Sequence, residues 1–218
     1  VNGDTVSSVD VKYNGSSSVS ATLNAGTYAN ALVLSNASGT NLANYTISYV
    51  NSNLIVTAAP ITVTANNQSV TYGSGTLPTL TYSVSGLVNG DTLAGALTTT
   101  AQAYTGVAGS GSAVGNYSIT QGTLLASSNY ALTYVAGTLT VSPASLTITA
   151  SNQTTTYGTA ISNLGTSAFT VSGLVNGNTI SSVNLTYNGS TAVSGSTAAN
   201  TYSGVLLPSN PVGSGLSN

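Results

Sequence analysis

One thirty-residue stretch of this chain recurs in closely similar form. Residues 44–73 read NYTISYVNSNLIVTAAPITVTANNQSVTYG, and residues 129–158 read NYALTYVAGTLTVSPASLTITASNQTTTYG. A chain that repeats itself at this spacing folds as an array of like modules, each packed mainly on its neighbours. The period is about 85 residues, from Tyr72-Gly73 to Tyr157-Gly158 and from Asn44-Tyr45 to Asn129-Tyr130. A third marker, VNGDT at Val1 and Val88 and VNGNT at Val175, recurs every 87 residues, because two extra residues lie between Tyr157 and Leu174. On this ruler residues 1–57 are the later part of a first module, 58–143 a complete module, and 144–218 the earlier part of a third.

The outer stretches resemble each other more than either resembles the middle. VNGDTVSSVDVKYNGSSSVS and VNGNTISSVNLTYNGSTAVS match at an offset of 174, which suggests an alternating pattern over about two modules. The simplest expectation is a window of a longer repetitive protein. The rival is a subunit whose partial modules are completed by neighbouring chains, as in strand-donation fibres.

Strands are expected wherever apolar residues alternate with polar ones. Ile61, Val63 and Ala65 alternate with Thr62 and Thr64; Tyr130, Leu132 and Tyr134 with Ala131 and Thr133; Leu139 and Val141 flank Thr140. The β-branched Thr, Val and Ile that dominate these runs suit a pleated surface. Only residues 91–101 (DTLAGALTTTA) carry helix features, and Gly95 and the Thr run argue against one. Asn2-Gly3, Asn14-Gly15, Asn89-Gly90, Asn176-Gly177 and Asn188-Gly189 accept positive φ, so tight turns joining antiparallel strands are expected, with hairpins at Tyr13 and Tyr187. At residues 86–92 the turn could lead instead into a crossing segment. Pro60 and Pro143 are expected just before strands, where the missing N–H matters least. With no flexible linker between modules, each is expected to add about 30–40 Å to a semi-rigid rod, given a rise of about 3.3 Å per strand residue.

Charged residues make up 2% of the chain: Lys12 is the one base, and Asp4, Asp10 and Asp91 are the acids. One cation cannot neutralise a phosphate backbone or hold an anionic membrane, so no nucleic-acid partner is expected. No apolar run is long enough to cross a bilayer as a helix, so no membrane insertion of this segment is expected. With 41% apolar residues in periodic runs the chain can still bury a core. The absence of Cys, Met, Trp and His suits a secreted, extracellular chain.

TANNQSVTYGS and TASNQTTTYGT, followed by SGLVNGDT or SGLVNGNT and closed by SNYALTYVAGTLTV, resemble the MBG domain of the Tyr-Gly-X type and the related YDG repeats. The likeness covers essentially the whole chain. It implies "mostly beta grasp" modules, found in tandem in large exported bacterial surface proteins such as adhesins related to filamentous haemagglutinin. The chain departs from that pattern in its near absence of charge, with Ser69-Val70 and Thr154-Thr155 where relatives carry Lys and Asp. The expected fold is mostly β, a tandem array of β-grasp-like or sandwich-like modules of about 85 residues in an elongated rod.

No catalytic, cofactor-binding or metal site emerges. With no His, Cys or Glu, the many hydroxyls have no evident activating partner, so no enzyme is expected. Asp4 and Asp91 raise a calcium site, but calcium wants several carboxylates and Asn178 stands in the third copy, so an Asx turn or cap is the expected role. Lys12 beside Asp10 raises a Lys–Asn isopeptide cross-link; its counterpart is Thr186, and a solvated strand residue is the simpler reading. Gln68 and Gln153 raise an ester link to Thr, with hydrogen bonding to the Tyr-Gly turn as the simpler role. Asn14, Asn44 and Asn188 open sequon-like triplets that permit glycosylation. Tyr45, Tyr49, Tyr130 and Tyr134 on a strand face, with Tyr72 and Tyr157 before turns, are expected as core anchors, an exposed subset being a candidate glycan platform.

The expected function is a stalk of a bacterial cell-surface adhesin. The alternative is an extracellular fibre built from the repeats, which low charge favours because little repulsion opposes lateral association. A glycan-binding module is the third. Partners are then neighbouring repeats of the same or like chains, or a host or matrix glycan or protein.

Overall fold

The computed structural model describes residues 3–217, and these are mostly β. The first copy of the repeat supplies β1 (Val6–Tyr13), β2 (Gly26–Gly39) and β3 (Ser52–Val56), with one 3-10 turn at Leu42–Asn44. The middle copy supplies β4 (Ala59–Ala65), β5 (Gln68–Thr71), β6 (Tyr82–Ser85), β7 (Thr98–Thr99), β8 (Gly115–Thr120), β9 (Tyr130–Val135) and β10 (Gly137–Ser142). The third supplies β11 (Thr147–Ala150), β12 (Phe169–Ser172), β13 (Ile180–Tyr187) and β14 (Leu206–Gly213). The chain divides into two compact units, and each takes strands from two successive copies.

The first unit holds residues 3–64, 82–97 and 121–135. One of its sheets has the order β1-β2-β3, antiparallel throughout. The other has the order β6-β4-β9, with β9 parallel to β4, so that Ile61 lies beside Leu132 and Val63 beside Tyr134. Strand β4 is bonded on both edges, and its alternation translates directly into burial: Ile61 is 2% exposed, Val63 0%, while Thr62 and Thr64 face out.

The second unit holds Ala65–Thr81, Thr98–Thr120 and residues 136–217. Its largest sheet has the order β5-β10-β8-β7, with β10 parallel to β5 and antiparallel to β8. Central β10 buries Leu139 and Val141. Pairs β11-β12 and β13-β14 cover a second core of Leu164, Val183, Leu185 and Val193, against which Ile148, Phe169, Tyr187 and Leu206 pack.

The likeness of the outer copies extends to backbone irregularities. β1 slips against β2 between Val6, Ser8 and Asp10, and β13 slips against β14 between Ile180, Ser182 and Asn184, the same three places 174 residues on. In both, a positive-φ asparagine sits opposite the slip, Asn36 in one and Asn210 in the other.

Several expectations need correction. Asn14-Gly15 and Asn188-Gly189 do turn tightly with both residues at positive φ, and Tyr13 and Ser16 exchange both backbone bonds, as do Tyr187 and Ser190. The hairpins stop there: the long partner of β1 is β2, and that of β13 is β14. Asn89-Gly90 and Asn176-Gly177 also turn tightly, yet the strands on either side, β6 and β7 in one case and β12 and β13 in the other, do not pair with each other, so the dipeptide here reverses a loop. Asn2 lies outside the described residues. Pro60 falls inside β4 rather than before it, opposite Ala131, and Pro143 stands four residues ahead of β11. Residues 91–101 form no helix, in line with the sequence reading; Gly95 has φ 89°, and a Cβ there would overlap the carbonyl of Thr123.

The largest departures fall where a strand text lacks its ladder partner. Residues 45–50 repeat the text of β9 but form no strand, leaving Tyr45, Ile47 and Tyr49 exposed and Val50 78% exposed. Residues 153–156 repeat β5 and likewise form none, and Tyr157 is 69% exposed where its counterpart Tyr72 is 5%. Equivalent side chains therefore differ in worth. Leu139→Ala is expected to cost about 3 kcal/mol by emptying a closed core site, while its counterpart Leu54→Ala, only half-buried, is expected to cost about 1 kcal/mol. Urea denaturation of the two variants measures the difference.

Candidate functional site at the repeat boundaries

Chemistry in this chain concentrates where one copy of the repeat meets the next. In the second unit the VNGNT turn of the third copy docks on the Tyr-Gly turn of the middle copy. The Tyr72 hydroxyl accepts hydrogen bonds from Asn176 Nδ2 and Asn178 Nδ2, each 2.9 Å. Asn176 is itself 5% exposed. Its Oδ1 takes the Gly111 N–H at 3.3 Å, its Nδ2 reaches the Gly111 carbonyl at 3.3 Å, and its backbone carbonyl takes the Gly109 N–H at 3.1 Å. A buried amide costs stability unless both ends are paired, and here both are.

The glycine of the Tyr-Gly pair has a spatial reason as well as a conformational one. Gly73 has φ 77°, and a Cβ there would stand 2.4 Å from Val175 Cγ2 of the next copy. Gly158 has φ 88° with open space around it. The motif is a turn against which the following repeat is fitted.

The first unit contains the preceding boundary, built from other groups. The Asn129 side chain accepts the Ala25 N–H at 2.8 Å and donates to Asn24 Oδ1 at 3.0 Å, while its backbone carbonyl takes the Ala59 N–H at 2.8 Å. Asn89 Nδ2 reaches the Ala21 carbonyl at 3.4 Å. The asparagine before the tyrosine in the NY motif thus joins the first copy to the N-terminal end of the parallel β4–β9 pair.

Asp91 and Asp4 do not act as Asx turns through their side chains. The Tyr130 hydroxyl donates to Asp91 Oδ2 at 2.6 Å and accepts the Val88 N–H at 3.2 Å. In the first copy the Tyr45 hydroxyl donates to Asp4 Oδ2 at 2.9 Å, and Asn41 Nδ2 also donates to Asp4. A carboxylate beside a phenol favours the protonated phenol, so both tyrosines titrate above the usual 10.0, chiefly through these bonds. Asn178, which stands for the aspartate in the third copy, has an amide donor and turns it on Tyr72 instead.

A third tyrosine population was missed by sequence reasoning. The hydroxyls of Tyr28, Tyr117 and Tyr202 each donate to the carbonyl four residues upstream, on Asn24, Ala113 and Ala198, at 2.8, 2.9 and 3.0 Å. This resembles the tyrosine corner of β-sandwich domains. Tyr13 and Tyr28 stack edge to face at 6.1 Å, and Tyr187 and Tyr202 repeat the contact at 6.0 Å. The signal was present in GTY, GNY and NTY: Tyr117 and Tyr202 are 85 residues apart, the repeat period, and Tyr28 and Tyr202 are 174 apart, the offset of the outer copies.

The remaining candidates scatter. Gln68 Nε2 donates to Thr81 Oγ1 at 3.1 Å, not to the Tyr-Gly turn. Asp10 accepts from Asn36 Nδ2 at 2.9 Å, and Lys12 is the last but one residue of β1, opposite Val33. Among the described residues no three acidic, His or Cys side chains gather as a metal set. Tyr72 and Tyr130 are buried anchors, whereas Tyr45, Tyr49 and Tyr157 are exposed.

Two outcomes follow from this geometry. Gly158→Ala is expected to cost about 1 kcal/mol through positive φ alone, and Gly73→Ala about 2 kcal/mol more because Val175 must move; denaturant unfolding of both variants gives the comparison. A tyrosine whose pKa is raised in the folded chain adds stability that is complete below about pH 10 and is lost as pH rises through the folded value. Asp91→Asn is therefore expected to bring the Tyr130 titration down toward 10.0, read by phenolate absorbance, and to remove that alkaline loss.

Comparison with curated proteins and with solved structures returned no match. The family model described as MBG domain (YGX type) matches twice, over residues 61–140 and 146–209, together most of the chain. In the first match lie the docked Tyr72-Gly73 turn and the greater part of β10; in the second lie Tyr157-Gly158 and the VNGNT turn. The chain belongs to the MBG domain family of the YGX type.

Proposed function

We propose that the chain is a stretch of structural stalk repeats from a secreted bacterial cell-surface adhesin, whose work is to space a binding tip from the cell. The observation that carries this reading is the boundary at Tyr72. Two asparagines of the following copy hold its hydroxyl, and Val175 fills the space left by Gly73. Successive repeats so fitted resist independent tumbling, as a load-bearing spacer requires. Hydroxyls and amides supply the contacts, and such groups keep their charge state across ordinary pH, so stability is expected to be nearly flat from about pH 5 to 9.

A second reading, a fibre or matrix filament built from the repeats themselves, is favoured by a surface with few charges, which offers little repulsion to lateral association. Solution scattering tests the stalk reading. A rod predicts a radius of gyration well above the roughly 17 Å of a globule of this length, with a longest dimension of about 80–100 Å from the strand rise. A compact particle would rule out the stalk, and ordered filaments by electron microscopy would favour the fibre.

A further inference from the structure

Among the described residues four Asn-Gly pairs form turns, and they stand in two kinds of surroundings. Asn14-Gly15, Asn89-Gly90 and Asn188-Gly189 are exposed, and a Cβ on any of their glycines would meet nothing within 4 Å. Asn176-Gly177 has the same positive-φ backbone, with φ 58° and 72°. Yet Asn176 is buried, and a Cβ on Gly177 would overlap Ala108 of the preceding copy. The Asn176 carboxamide is held at both ends, Oδ1 by the Gly111 N–H and Nδ2 by the Tyr72 hydroxyl and the Gly111 carbonyl. Nδ2 of its direct counterpart in the middle copy, Asn89, reaches the Ala21 carbonyl at 3.4 Å.

Asparagine is a chemically labile side chain, and most so before glycine, where no Cβ shields the next main-chain nitrogen. Hydroxide takes the proton of that nitrogen, which then bonds to the asparagine Cγ. The Cγ–Nδ2 bond breaks, and Nδ2 leaves as ammonia with a proton from water. Water opens the resulting succinimide ring at either carbonyl, leaving aspartate or isoaspartate. The reaction requires Cγ to swing onto the following nitrogen, which a carboxamide held at both ends cannot do.

We propose that Asn176-Gly177 is a modification site guarded by the repeat boundary: it loses ammonia only after the boundary has opened, and the product then keeps the boundary open. A carboxylate has no N–H to offer the Tyr72 hydroxyl or the Gly111 carbonyl, and its charge would have to return to a place that is 5% exposed. Isoaspartate also adds a methylene to the main chain of a turn that Ala108 confines. Asn14 and Asn188 take no part in the bonds to Tyr72, so their conversion leaves the boundary closed. The site depends on the geometry at Tyr72 and is the same whether the repeats build a stalk or a fibre.

The purified chain is aged at mildly alkaline pH and digested with chymotrypsin, and each Asn-Gly peptide is followed by mass spectrometry and by isoaspartyl methylation. In the folded chain conversion at Asn176 is expected to be at least about tenfold slower than at Asn89 and Asn188, because the boundary must first open locally. In urea the four sites are expected to converge. Tyr72→Phe keeps the ring and removes the acceptor of both amides; it is expected to speed conversion at Asn176 without moving Asn188. Gly73→Ala, which displaces Val175, opens the same boundary by a different route and is expected to do likewise. Asn176→Asp reproduces the product and is expected to lose the hydrogen-exchange protection of the Gly109 and Gly111 amides. Equal conversion at Asn176 and Asn188 in the folded chain, no acceleration in either variant, or retained protection in Asn176→Asp would overturn the proposal. The solution-scattering test of the stalk is indifferent to all of these results.

Discussion

A strand in this chain exists only where another strand meets its edge. Main-chain N–H and C=O groups must be paired, and in a β-structure the partner comes from far away in sequence. For most proteins this dependence is hidden, because every strand text occurs once. Here it is displayed by internal comparison. NQSVTY is a ladder strand beside β10 and NQTTTY is irregular without such a partner; NYALTYV pairs along β4, and NYTISYV joins no ladder among the described residues. The local texts differ by a few Thr, Ser, Ala and Val substitutions, far too little propensity to account for the change.

Burial follows the ladder. Tyr72 closes against the next copy and donated amides hold its hydroxyl, whereas Tyr157 stands in solvent. Strand order also explains which patterns were legible beforehand. The alternations in β4, β9 and β10 were plain in the sequence because each is backed by a core that fixes the inward face. The repeat period and the family were legible for a similar reason, since Tyr-Gly, Asn-Gly and Asn-Tyr are conformationally demanding pairs that recur together.

What was not legible was the use of side chains between segments. Asp91 looked like a turn residue and is a partner for Tyr130, 39 positions away; Asn176 looked like a turn residue and is a buried amide serving Tyr72 and Gly111. A local motif gives the backbone conformation of such a residue and says nothing of where its side chain goes, which depends on docking. The hairpins expected from Asn-Gly failed for the same reason. The dipeptide fixes two φ angles, and the flanking pairing is decided by bulged, longer-range partners such as Asp10 with Ser35.

The mechanical reading rests on this dependence of strand on partner, because fitted boundaries transmit order between copies. Native-state amide hydrogen exchange over the two copies of one text tests it most directly. The account predicts strong protection of the ladder amides in residues 68–71 and exchange near the open-chain rate for residues 153–156 in the isolated chain. Equal protection of the two segments would contradict it.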